Sequence, residues 1–157
     1  MTPPAGPVQA CVFLLGDQRF AVDVRTAREV VVLDHLTPAP LAPGHLAGVT
    51  HLRGAALPVL EIRPLLGKPA APVGRGTRLL VLDAPPLRAA VATDGVLGLR
   101  GFDEVRPASD EASAGFAVGL LDGEEGPVTL LDAPRLLEAL RIRAARRPRT
   151  VLAAAGS

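Results

Sequence analysis

A guanidinium at the end of a short apolar run is the first feature of this 157-residue chain that could do recognition chemistry. In Gly48-Val49-Thr50-His51-Leu52-Arg53-Gly54, strand periodicity puts Val49, His51 and Arg53 on one face and Thr50 and Leu52 on the other. A planar fork of donors on a wet face, beside a glycine turn, suits carboxylates or carbonyls at a helix end. The plainer alternatives are a solvated strand residue or a pair with Glu61 across the turn. The histidines His35, His45 and His51 lack the spacing, cysteines and paired carboxylates of a metal site, and none is expected. No G-x-S-x-G elbow is present, the serines lie in a polar stretch or at the terminus, and no pair of activated groups can be named. Catalysis is therefore not expected. Gly74-Arg75-Gly76-Thr77 lacks the lysine and the following helix of a phosphate loop, so it reads as a linker. Cys11 is a lone cysteine inside Ala10-Cys11-Val12-Phe13-Leu14-Leu15, where a thiol behaves as a small hydrophobe.

The elements that must position these residues are short strands. Cys11 to Leu15 and Arg19 to Arg25 read as a hairpin across Gly16-Asp17-Gln18, with Phe20, Val22 and Val24 facing inward and Arg19, Ala21, Asp23 and Arg25 outward. Glu29 to Leu33 is a third strand, and the three prolines of residues 37 to 44 make a loop. Gly48 to Arg53 and Ala55 to Arg63 follow, the latter carrying Pro58, which points to an edge or a bulge. Residues 67 to 77 form a breaker-rich connection and are taken as a lobe boundary. Beyond it, Arg78 to Asp83 and Leu87 to Ala92 form a hairpin, Val96 to Gly101 a strand, and Phe102 to Gly115 a polar mobile loop. Ala117 to Leu121 and Val128 to Leu131 make a last hairpin, and a helix over Pro134 to Leu140 is capped by Asp132. About ten short strands in two groups of five indicate an all-β chain of paired small barrels.

Composition narrows the function. The apolar content is aliphatic, with four Phe and no Trp or Tyr, which leaves little for base stacking. The formal net charge of +1 gives no field to steer a polyanion. Lys68 stands alone against sixteen arginines, five of which fall within Arg141 to Arg149; that tail could meet anionic lipid, RNA or an acidic patch, or simply fray. No basic leader or long apolar run is seen, so a cytoplasmic protein without membrane insertion is expected.

Leu46 to Arg63 resembles the signature of the CheW family, roughly G-V-x-N-L-R-G, three residues, P-V-x-D-L-R, departing at His51 for Asn and at Glu61 for Asp. The opening hairpin, Glu29-Val30, the proline-rich loop, Thr93-Asp94-Gly95-Val96 and Leu130-Leu131-Asp132 also resemble it in order and spacing, over about residues 10 to 140. The resemblance implies two five-stranded SH3-like β-barrels on a common core, with short helices and a C-terminal helix. It places one domain over residues 8–140, with lobe one over 8–66, lobe two over 77–132, a closing helix over 133–141 and a basic, apolar tail over 142–157.

It also implies a non-catalytic adaptor without cofactors, coupling the tips of methyl-accepting chemoreceptors to the regulatory domain of a CheA-type histidine kinase in chemotaxis or motility signalling. Arg53, Glu29, Val30, His51, Val24 and Val49 are the expected partner-binding residues, and Gly48, Gly54, Pro58, Asp94 and Gly95 the structural ones. Weaker resemblance after residue 77 leaves an accessory protein that binds receptors but not the kinase as an alternative. A nucleic-acid-binding double barrel using the basic tail is a remoter one.

Overall fold

Eleven strands, two short 3-10 turns and one α-helix are formed in a computed structural model that describes residues 6–39, 45–109 and 112–146, with backbone alone for 112 and 140–146. In chain order they are β1 (Val8–Leu15), β2 (Gln18–Asp23), β3 (Ala27–Val32), β4 (Thr37–Pro38), β5 (Leu46–Leu52), β6 (Ala55–Leu60), β7 (Arg78–Ala84), β8 (Leu87–Thr93), β9 (Gly95–Phe102), β10 (Ala117–Gly123), β11 (Gly126–Leu131) and α1 (Ala133–Arg146). One sheet has the order β10-β11-β2-β1-β9 and the other β3-β7-β8-β6-β5-β4. The mostly β architecture expected from the strand pattern is present, as two sheets of five and six strands; the sixth strand of the larger sheet is the two-residue β4, inside the expected proline loop. Pro40 to Gly44 of that loop lie outside the described residues.

The central strands are apolar on both faces, and that feature sets the layering. In β1, Val8, Ala10 and Val12 fill one cluster with Ala21, Phe102, Leu121, Val128 and Leu130, all from the five-stranded sheet. The alternate residues Cys11, Phe13 and Leu15 join Phe20, Val22, Leu80, Leu82, Val91, Leu131 and Leu136 in a core shared by both sheets and α1. In β7 the same parity sends Leu79 and Val81 into a third cluster with Leu33, Leu57, Val59, Ala90 and Ala92. Period-two strands buried on both sides thus serve two cores at once. Burial of each Leu or Phe contributes about 1.5–3 kcal/mol before entropy is charged against it. Ala21, expected on a wet face, is fully buried for this reason. The thiol of Cys11 is pushed up by the same burial.

Sheet membership does not follow the division at residues 67–77. β1 and β2 pair with the late strands, β1 with β9 and β2 with β11, while β7 and β8 pair with β3 and β6. The chain crosses between sheets at residues 24–26 and again at Asp94, so the breaker-rich connection only links two strands of one sheet. A run of Gly and Pro marks a loop, but pairing decides which sheet its flanks join.

The stretch after β9 is also more ordered than expected: Arg106 pairs with Leu120, and Val105 packs on the first cluster. Helix α1 starts at the expected cap, with the Arg135 amide donating to Asp132 Oδ1 at 3.0 Å, and buries Leu136 and Leu137. It runs six residues past Leu140, to Arg146. The tail beyond Arg146 lies outside the described residues.

Candidate partner-binding surface

Pairing of Leu52 with Ala55 leaves Arg53-Gly54 as a two-residue turn, with φ of +50° and +80°. Both central residues are left-handed, as a type I′ hairpin turn demands; Asn-Gly is the easy solution, and arginine in the first place is strained. Arg53 therefore stands at the tip of the β5–β6 hairpin, not on the strand face with Val49 and His51, because the turn begins one residue earlier than the Gly54 signal suggests. From there it forms a bidentate pair with Glu29 of β3, Nη1 to Oε1 at 2.7 Å and Nη2 to Oε2 at 2.5 Å. Arg88 on β8 approaches the same carboxylate at 3.9 Å. The hydrogen bonds from Arg53 hold the Glu29 carboxyl below the usual range, and the charges of Arg53, Arg88 and Arg28 add to this. The pair spans the six-stranded sheet from its β3 edge to a hairpin at its other side, so the sheet curls over its own cluster.

The opposite face of β3 carries exposed apolar surface. Along β3 burial alternates, and Val30 and Val32 on the outward face are 46% and 64% exposed. On β9, Leu97 and Leu99 are 37% and 56% exposed. Each strand is an edge of its sheet and both adjoin β7, while Leu97 lines a cleft of the five-stranded sheet with Val12, Phe102 and Val128. Apolar side chains on sheet edges are uncommon because edges invite pairing.

The other expected residues fall into two sets. His51 on β5 is exposed, Val49 half-buried between Thr37 and Pro58, and Val24 half-buried at the first crossing between sheets. Gly48 is required by close approach: a Cβ there would stand 2.3 Å from the Thr37 carbonyl oxygen. Pro58 pairs with Val49, and β6 gains its other neighbour, β8, only from Val59 onward, which leaves Pro58 edge-like as expected. Asp94 and Gly95 sit at the second crossing. Glu61 does not reach Arg53; it is buried against Arg63, whose Nη1 lies 3.0 and 2.9 Å from its oxygens, and it accepts the Ala71 amide at 2.7 Å. Arg63 also donates to Asp94. Val32, Leu97, Leu99, Arg88 and the Arg63 network escape sequence reasoning. A Val-rich run such as Val30-Val31-Val32 reads as buried on both faces, and Gly95-Val96-Leu97-Gly98-Leu99 has too little patterning to show a face.

His45 is buried, and its carbonyl accepts the Glu61 amide at 2.7 Å. Among the described residues no group of three or more His, Cys, Asp or Glu side chains could hold a metal ion, and no helix is long and apolar enough to cross a membrane.

The model of the CheW-like domain family matches residues 9–141. The chain belongs to that family. Protein FrzA of Myxococcus xanthus is 36% identical over 141 residues, covering 86% of this chain and 88% of the relative. The probable chemotaxis protein CheW of Rhizobium etli is 30% identical over 146 residues, covering 89% and 94%. Protein PilI of Pseudomonas aeruginosa is 25% identical, covering 72% and 66%. The crystal structure of scaffolding protein TtCheW from Thermoanaerobacter tengcongensis shares the fold, with a TM-score of 0.71 at 21% identity, over 81% of this chain and 85% of that one. This CheW-like protein is thus a non-catalytic scaffold of chemotaxis or motility signalling.

Proposed function

We propose that this CheW-like protein acts in the cytoplasm and couples the tips of methyl-accepting chemoreceptors to the regulatory domain of a CheA-type histidine kinase. The observation that carries the reading is Arg53. A strained, left-handed arginine is kept at a turn where Asn would be easier, and its fork holds Glu29 on one face of β3, whose other face carries exposed Val30 and Val32. Strain of this kind persists where function uses it. Three of the five guanidinium donors of Arg53 are left for a partner, and the valines supply a dry contact on the other face of the same edge strand. His51, Val24 and Val49 are the further contact residues of this reading. Relatives named as chemotaxis proteins support it.

The test is calorimetric titration of Arg53→Glu against a receptor-tip fragment. Wild-type binding on the order of micromolar suits a small interface, and the charge reversal should weaken it tenfold or more, about 1.4 kcal/mol. Binding unchanged within error would remove Arg53 from the site.

A further inference from the structure

The second passage between sheets is a single residue, Asp94, which separates β8 of the larger sheet from β9 of the smaller. Its backbone amide donates to the Leu14 carbonyl at 2.9 Å, and its Oδ2 accepts both the Gly16 amide of the β1–β2 turn and Nη2 of Arg63. Arg63, only 8% exposed, continues the path to Glu61, and Glu61 takes the Ala71 amide of the connection before β7. One carboxylate therefore touches the hairpin turn of the five-stranded sheet and a buried arginine in the segment that follows β6 of the six-stranded sheet. We propose that Asp94 is a positioning residue: a clasp that fixes the angle between the two sheets.

The apolar core between the sheets does not do this by itself. Burial of Phe13, Phe20, Leu80 and Leu82 favours contact, but the hydrophobic effect is non-directional and tolerates sliding. Charge-assisted hydrogen bonds are directional, and those of Asp94 sit at a chain crossing, where a small rotation would break them first. The angle they set also fixes the spacing of Val30 and Val32 on β3 from Leu97 and Leu99 on β9. The clasp rests on contacts within this chain and stands whether or not the proposed partners bind.

Residual dipolar couplings on the full-length protein measure the angle directly. In the wild type, amides of both sheets should fit one alignment tensor. Asp94→Asn keeps an oxygen for Gly16 but loses the charge facing Arg63, and Asp94→Ala loses both. Each variant should keep consistent couplings within each sheet but require separate tensors for the two, with Asp94→Glu partly restoring the common fit. If Asp94→Asn and Asp94→Ala, still folded by circular dichroism, fit one tensor at the wild-type angle while only the melting temperature falls, the residue merely stabilises and the proposal is wrong. Should Asp94→Ala fail to fold, the Asn and Glu variants decide it alone.

Discussion

Arg53 combines two demands that ordinarily separate. The turn asks for a residue at ease with positive φ, while Glu29 asks for a long cation, and only the second is served. Arg53→Asn should therefore separate fold from function: the I′ turn is kept or improved, so the melting temperature should equal or exceed that of wild type, while receptor-tip binding falls on the order of tenfold. Thermal melts alongside calorimetry check both halves. The pair was only half legible. The arginine and its glycine mark a turn, but Glu29 lies twenty-four positions away on another strand and nothing local links them.

Protonation belongs to the same scale. The carboxyls of Asp23, Glu29 and Asp94 are all held below their ordinary values, chiefly by bonds from Arg25, from Arg53 and from the Gly16 amide respectively. Groups with a lowered folded value contribute stability that is complete above the unfolded value, about 4, and is lost as pH falls through the folded one. Urea midpoints should thus be flat from pH 7 to about 5 and drop below about pH 4. Glu29→Gln should flatten that drop.

Among the elements, β4 approaches β5 closely at Gly48. A methyl at residue 48 meets backbone, which cannot swing away as a side chain would. Gly48→Ala should cost about 1–3 kcal/mol, seen as a lower denaturant midpoint with unchanged slope, and should disturb β4 and β5 before the rest. Most strands were readable from period two and turn residues, to within one or two positions. What misled in β2 was the assumption that alternation implies one wet face; there, as in β1, β7 and β8, both parities are apolar because each strand lies between two cores. The outward Val32 of β3 was missed for the converse reason, since β-branched residues favour strands whether buried or not.

At the scale of the whole molecule, the shared core carries the two sheets. Phe13 and Phe20 stack within it with centroids 6.2 Å apart, and both are essentially inaccessible. Phe20→Ala should cost about 3–5 kcal/mol and lower unfolding of both sheets together in a single transition by near-UV and far-UV probes. The all-β class and the short closing helix followed from the pattern of strands and breakers. The exchange of strands between halves did not, because it depends on β1 finding β9 some eighty residues later. Pairings at that separation are decided by the packed core and leave no mark on local composition.

The central claim is that the molecule bridges two proteins. Calorimetric titration of the intact protein against a receptor-tip fragment, and separately against the regulatory domain of its CheA-type kinase, tests it most directly. The account predicts saturable binding to both, with Arg53→Glu reducing the receptor titration. Binding to the receptor alone would contradict the coupling role and indicate an accessory protein, and binding to neither would overturn the claim and turn attention to the arginine-rich tail.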